Sequence, residues 1–280
     1  GGGALMADFT TSDGLRLHYE DTGAGTPVLC LSGLTRNARD FDFVAPHLGD
    51  VRMIRLDYRG RGQSDWAEDF MSYNVPREGL DAIELLNHLG LEKAAVLGTS
   101  RGGLIAMVLA AMARDRLLGV ALNDIGPELD TTGLEVIMGY LGKHPPFKTL
   151  DDLAKARMLA LAQAFPGVPL ERWRQEARHT HVETPEGVRI NYDPKLRDAI
   201  IATGANGAPD LWPLFEAMTG LPVAVIHGMN SDLLTTATVD EMARRNPDLI
   251  VAHVPDRAHI PFLDEPEALE ALTTWLARLT

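Results

Sequence analysis

A chain of 280 residues, 45% hydrophobic and 23% charged, has the makeup of a soluble globular protein able to bury a sizeable core. Its formal net charge of −13 argues against nucleic acid and anionic membrane surfaces as partners. The one cysteine, Cys30, excludes an internal disulfide and reads as a small buried hydrophobe within its apolar run. No apolar stretch is long enough to span a bilayer, and the N-terminus lacks the basic region and apolar core of a secretory signal. The expected location is therefore cytoplasmic. Gly1 to Leu5 reads as an expression remnant ahead of a start at Met6.

Phe9 to Thr22 predicts two short strands joined at Asp13-Gly14. The unbroken apolar run Pro27 to Leu31 suits a strand buried on both faces, and a helix is predicted over Asp40 to Leu48. Val51 to Leu56 is the next strand, followed by Asp57-Tyr58-Arg59-Gly60-Arg61-Gly62-Gln63-Ser64. Leu80, Ile83, Leu85, Leu86 and Leu89 place an apolar stripe on a helix from Arg77 to Leu89. Strands at Ala94 to Leu97 and Leu117 to Leu122 flank a helical run, Leu104 to Met112. This alternation predicts an α/β fold with a mostly parallel sheet covered by helices on both faces.

From about Glu128 to Trp212 the rhythm breaks into helix-like pieces at Leu134 to Leu141, Leu150 to Phe165, Leu170 to Arg178 and Lys195 to Thr203. The expected organisation is a core domain of residues 6–127 and 213–280, with a helical cap of 128–212 inserted over the sheet edge. Alternation then resumes with strands at Pro222 to Ile226 and Leu249 to Val254, and helices at Thr235 to Arg245 and Pro266 to Leu279.

Between the strand at Ala94 and the helix at Leu104 stands Gly98-Thr99-Ser100-Arg101-Gly102. Strand, tight turn and helix are the context that a nucleophile elbow needs, because glycines let strand and helix close around a strained Ser. A serine hydroxyl is a weak nucleophile and requires a base, itself oriented by an acid. In this arrangement the acid and then the histidine follow the serine, each at a later strand end. The Val223 to Ile226 strand leads to Asp232 as the acid, and the last strand leads to His259 as the base. Asp124, after the Leu117 strand, is the alternative acid.

With Asp57-Tyr58-Arg59-Gly60-Arg61-Gly62-Gln63-Ser64 and His259-Ile260-Pro261-Phe262-Leu263-Asp264-Glu265-Pro266, the elbow makes the chain resemble the α/β-hydrolase family from about Phe9 onward. The resemblance implies a sheet of about eight mostly parallel strands, with a cap after the sixth. It also implies an oxyanion hole made by the backbone N–H groups of Arg101 and Leu34. The chain departs from the family at Ser32-Gly33, where His-Gly is usual. The expected reaction is hydrolysis of a carboxylic ester on a small-molecule substrate, through an acyl-enzyme on Ser100. Carbon–carbon bond hydrolysis of ring-cleavage products and lactone hydrolysis use the same triad, and a receptor on the same fold is the non-enzyme alternative. Ser at the elbow argues against dehalogenases and epoxide hydrolases, which attack through Asp.

No cofactor is expected, and no metal: His179, His181 and Glu183 have a ligand-like spacing without a matching further set. His227 reads as structural. Arg36, or Arg101, is a possible contact for a polar or anionic substrate group. Met138, Tyr140, Leu141, Phe147, Met158, Trp173 and Trp212 are candidates to line an apolar pocket or to form the cap's own core.

Overall fold

The structure, a computed structural model, describes residues 5–205 and 207–279. Strands β1 (Leu5–Thr10) and β2 (Arg16–Thr22) form the expected hairpin, with Gly14 at φ +93° in its turn. Leu5, assigned to the leading remnant, pairs with Asp21 inside β1, while residues 1–4 lie outside the described residues. Next come β3 (Thr26–Leu31), β4 (Val51–Leu56), α1 (Val75–His88), β5 (Ala94–Thr99), α2 (Arg101–Met112) and β6 (Leu117–Asn123).

Residues 128–212 hold α3 (Thr131–Tyr140), α4 (Leu150–Ala160), α5 (Leu170–Thr180), β7 (His181–Thr184), β8 (Gly187–Ile190) and α6 (Leu196–Gly204). The chain then closes with α7 (Trp212–Glu216), β9 (Val223–Gly228), α8 (Thr236–Arg245), β10 (Ile250–Val254) and α9 (Pro266–Ala277). Eight strands share one sheet in the order β1-β2-β4-β3-β5-β6-β9-β10, antiparallel at β1–β2 and β2–β4 and parallel elsewhere.

Successive side chains of the central strands point to opposite faces, so each strand serves two cores. Leu29, Leu31, Val96, Val120, Leu122 and Val225 pack under α1, α2, α7 and α8. Val28, Cys30, Ala95, Leu97, Ala121 and Ile226 pack against α9 and the Phe41–Val44 segment on the other side. Cys30 is a free thiol, and burial pushes it up to about 12. Among the described residues no helix is long and apolar enough to cross a membrane.

Two local expectations fail for identifiable reasons. Asp40 to Leu48 forms two short 3₁₀ turns, Ala38–Asp42 and Ala45–His47, because Pro46 has no N–H to continue an α-helical ladder. The 128–212 segment also contains a two-stranded hairpin, β7–β8, whose strands of four residues are too short to register as a period-2 pattern.

That segment is laced to the loop after β4. Gly62 N–H donates to Asn191 O at 3.1 Å, Asp193 N–H to Gly60 O at 2.8 Å, and Tyr73 Oη–H to Asp193 Oδ2 at 2.7 Å. Asn37 Nδ2 donates to the carbonyl of His179 at 2.6 Å. These bonds hold the helices over the carboxyl ends of the parallel strands.

Candidate active site

Ser100 sits between β5 and α2 at φ 51° and ψ −113°, a conformation that side chains other than Gly rarely adopt. The turn fits only because its neighbours lack Cβ atoms. A Cβ on Gly98 would lie 2.4 Å from Gly102 O, and one on Gly102 would lie 2.1 Å from Leu31 O. The strain lifts the hydroxyl clear of the sheet at the N-terminus of α2.

Parallel register places the acid. Thr99 of β5 pairs with Asn123 of β6, so Ser100 and Asp124 each stand one residue beyond a matched pair. Both take left-handed backbone, with Asp124 at φ 53°. Asp124 is fully buried and held from two sides: Gly228 N–H donates to its Oδ1 at 2.8 Å, and Ser231 Oγ–H to its Oδ2 at 2.6 Å.

His259 arrives on the loop after β10. Its Nδ1 lies 2.7 Å from Asp124 Oδ2 and its Nε2 lies 2.9 Å from Ser100 Oγ. A carboxylate accepts at Nδ1, which selects the Nδ1–H tautomer and leaves Nε2 free to accept the serine proton. The loop itself is stiffened by Glu265, which accepts from Phe262 N–H, Leu263 N–H and Arg257 Nε–H at 2.8, 2.8 and 2.9 Å. Asn123 Nδ2 also donates to Pro261 O at 3.2 Å.

The expected acid is thus corrected. Asp232 makes no side-chain hydrogen bond among the described residues; its backbone carbonyl accepts Gly133 N–H at 2.9 Å, and it lines the cavity above the serine. It stands four residues past the end of β9, and in that turn it is Ser231, not a carboxylate, that reaches toward His259 by way of Asp124. β6 and β9 are adjacent in the sheet, so the ends of both face the histidine loop.

The other expected donors lie close by. Arg101 is the first residue of α2, where an N–H has no partner within the helix. The loop after β3 passes beside the serine, since a Cβ on Gly33 would lie 3.9 Å from Ser100 Cβ. Leu34 follows directly in that loop.

A cavity of about 640 Å³ opens over His259 and Thr99, the residue before Ser100, between the sheet edge and the 128–212 segment. One wall is apolar, with Phe43, Leu161, Phe165, Trp173 and Phe262. The other carries Arg36, Tyr140, Arg157, Glu176 and His181. Burial, with Arg157 and Arg36 nearby, pushes His181 down to about 3, so it stands in this wall as a neutral imidazole. Of the expected apolar lining, Tyr140 and Trp173 reach the cavity. Leu141, Phe147 and Met158 pack inside the segment, and Trp212 lies in the main core with its Nε1–H on Glu128.

Both arginines expected near the substrate are ion-paired within the protein. Arg36 lines the cavity, but its Nε and Nη2 donate to Asp40 at 2.8 and 2.9 Å and its Nη1 to Glu176 at 3.2 Å. Its charge is answered inside the protein. Arg101 points away from the cavity onto Glu78. Arg59 is paired with Asp13 and Asp81, which suits bracing rather than phosphate binding.

His227 Nε2–H donates to Leu234 O at 2.9 Å and its Nδ1 meets His253 Nδ1 at 2.9 Å, a buried structural pairing. His179 faces Asp42, His181 faces Thr180 and Glu183 accepts Leu150 N–H, so the three do not converge. No group of three or more His, Cys, Asp or Glu side chains among the described residues could hold a metal ion.

Comparison with known proteins agrees with this fold. The family model described as alpha/beta hydrolase fold matches residues 26–266. A 3-hydroxybutyrate-oligomer hydrolase from Cupriavidus necator is 38% identical over 263 residues, covering 90% of this chain and 89% of that protein. A 2-(acetamidomethylene)succinate hydrolase from Mesorhizobium japonicum is 28% identical over 94% of this chain and 92% of its own. Among solved structures, an alpha/beta hydrolase from Novosphingobium aromaticivorans superposes with a TM-score of 0.92 at 39% identity, covering 98% of each chain.

Proposed function

Because this chain belongs to the α/β-hydrolase family, we propose that it hydrolyses carboxylic esters through an acyl-enzyme on Ser100, with His259 as general base and Asp124 as its orienting acid. The observation that carries this reading is the unbroken line from Asp124 to His259 to Ser100, at 2.7 and 2.9 Å, opening on a closed-in cavity.

His259 Nε2 takes the Ser100 proton as Oγ attacks the ester carbon. The carbonyl oxygen becomes an oxyanion facing the N–H groups of Arg101 and Leu34. Collapse expels the alcohol, which leaves with the proton from His259. Water then attacks the acyl-enzyme, giving its proton to the same nitrogen, and release of the acid restores the Ser100 hydroxyl. Asp124 stays a carboxylate throughout and balances the imidazolium that forms twice per turnover. The 128–212 segment acts as a cap over this chemistry, and its apolar wall suits an acyl or alkyl chain while the opposite wall offers donors to ester or hydroxyl oxygens.

The relative from C. necator makes short 3-hydroxybutyrate oligomers the first physiological class to try. A panel of p-nitrophenyl esters of rising chain length and such oligomers, set beside lactones and ring-cleavage diketones, tests the reading. Esters are expected to turn over fastest. Turnover confined to the diketones would replace ester with carbon–carbon bond hydrolysis, and no turnover of any member would favour a binding protein on this fold.

A further inference from the structure

We infer that Glu78 of α1, buried beneath the site, is a positioning residue that sets the spacing of the two oxyanion donors; the inference rests on the acyl-transfer reading above. Its carboxylate receives Arg101 through Nε at 2.6 Å and Nη2 at 3.0 Å, and Arg61 through Nη1 at 3.0 Å. Arg61 in turn donates from Nε to the carbonyl of Leu34 at 2.8 Å. One acid therefore joins the residue after the nucleophile to the loop that supplies the second donor.

The loop is held so that a single peptide unit is aimed. Tyr58 Oη–H donates to Ser32 O at 2.7 Å, ahead of the Gly33–Leu34 peptide, and Arg61 holds Leu34 O just behind it. The carbonyl of that peptide, Gly33 O, accepts Arg36 N–H at 3.2 Å. In a trans peptide the N–H points opposite to the C=O, so the Leu34 N–H faces away from Arg36, and it has no partner among the described residues. Tyr58, Arg61 and Glu78 do the bracing in a chain whose buried Ser32 hydroxyl has no hydrogen bond among the described residues.

Stability is a poor explanation for this cluster. The side chains of Arg61 and Glu78 are fully buried and that of Arg101 is 8% exposed, and Arg61 Nη2 has no hydrogen-bond partner among the described residues. Buried ion pairs can commonly be replaced by apolar residues of like volume without loss of stability, whereas apolar side chains cannot fix the direction of a carbonyl. Two cations meeting one carboxylate, with a donor orphaned, is an arrangement suited to geometry.

Arg101→Met is the discriminating variant. It keeps the Arg101 backbone N–H and leaves Arg61 and Glu78 as a balanced pair, so folding is preserved. Hydrolysis of p-nitrophenyl butyrate is compared with inhibition by a trifluoromethyl ketone, whose carbonyl carbon bonds to Ser100 Oγ while His259 takes the proton, leaving an oxyanion in the hole. Misplacing a donor is expected to lower kcat by about 10- to 100-fold, somewhat less than deleting one. KM should change little, and the inhibition constant for the ketone should rise by the same factor that kcat/KM falls. Glu78→Gln should shift the same pair of values, and Arg101→Lys should recover part of the loss by restoring a cation to Glu78.

A loss of rate that follows only the folded fraction, with ketone affinity unchanged, would reduce the cluster to a structural role and overturn the inference while leaving the ester reading in place. A raised KM with unchanged kcat would overturn it likewise. Wild-type protein that neither turns over esters nor binds the ketone would remove the reading and the inference together, since no oxyanion would form to be held.

Discussion

Ser100→Ala is expected to lower kcat/KM for ester hydrolysis by about 10⁵-fold, to a residue of activity supplied by binding and the oxyanion donors alone. The size follows from the arrangement. Ser100 Oγ is the atom His259 Nε2 faces at 2.9 Å, and no other hydroxyl bonds that nitrogen among the described residues. The fold should survive the change. The backbone strain at φ 51° is no greater for Ala than for Ser, and the bond from Ser100 N–H to Asn123 O at 3.0 Å is untouched. Thermal unfolding should therefore match wild type while turnover disappears. Near-normal turnover in a folded variant would show that the reacting group lies elsewhere.

Asp124→Asn should cost about 10⁴-fold in kcat, and Asp232→Asn only a few-fold at most. The asparagine keeps the shape of the aspartate and can still accept Gly228 N–H through its oxygen. What it presents to His259 Nδ1 is then an amide N–H, which turns the imidazole to its other tautomer and leaves Nε2 carrying a proton where it must accept one. Asp232 meets no imidazole, so removing its charge alters only the cavity wall. Steady-state kinetics on the two variants, with melting temperatures alongside, separates the assignments. A large loss in the Asp232 variant with a normal Asp124 variant would reverse them.

Much of this was legible because local chemistry dictates it. Gly98 and Gly102 around Ser100 report a backbone approach that no Cβ would tolerate, and the apolar runs of β3, β5, β6 and β9 report strands buried on both faces. The His259 position follows from its place after the last strand. The acid was harder because two aspartates satisfy the same chain order. Their difference lies in a lateral register, Thr99 against Asn123, that pairs residues on separate strands. The clue available in sequence is that Asp124 directly follows its strand, as Ser100 does, whereas Asp232 lies a full turn beyond.

The ion pairs of Arg36 were out of reach for a related reason. Its partner Asp40 is four residues away, but Glu176 is 140 residues distant and becomes a neighbour only through the tertiary fold of the 128–212 segment. The cavity lining contributed by residues 128–212 was similarly out of reach. Helical periodicity shows which residues share a face of α3 or α5, but Tyr140 and Trp173 reach the cavity because of how those helices cross the sheet edge. The β7–β8 hairpin is held by tertiary contacts of the same segment, including the approach of Gly187 to Phe147 O, where a Cβ would lie at 2.9 Å.

The covalent intermediate is the most exposed point of the account. Mixing the protein with p-nitrophenyl butyrate, quenching in acid within the first turnovers and measuring intact and peptide masses reads it directly. The predicted result is a single butyryl group on the peptide carrying Ser100, formed more slowly in Asp124→Asn. Ester turnover with no adduct trapped at any quench time, or an adduct on a different residue, would contradict it.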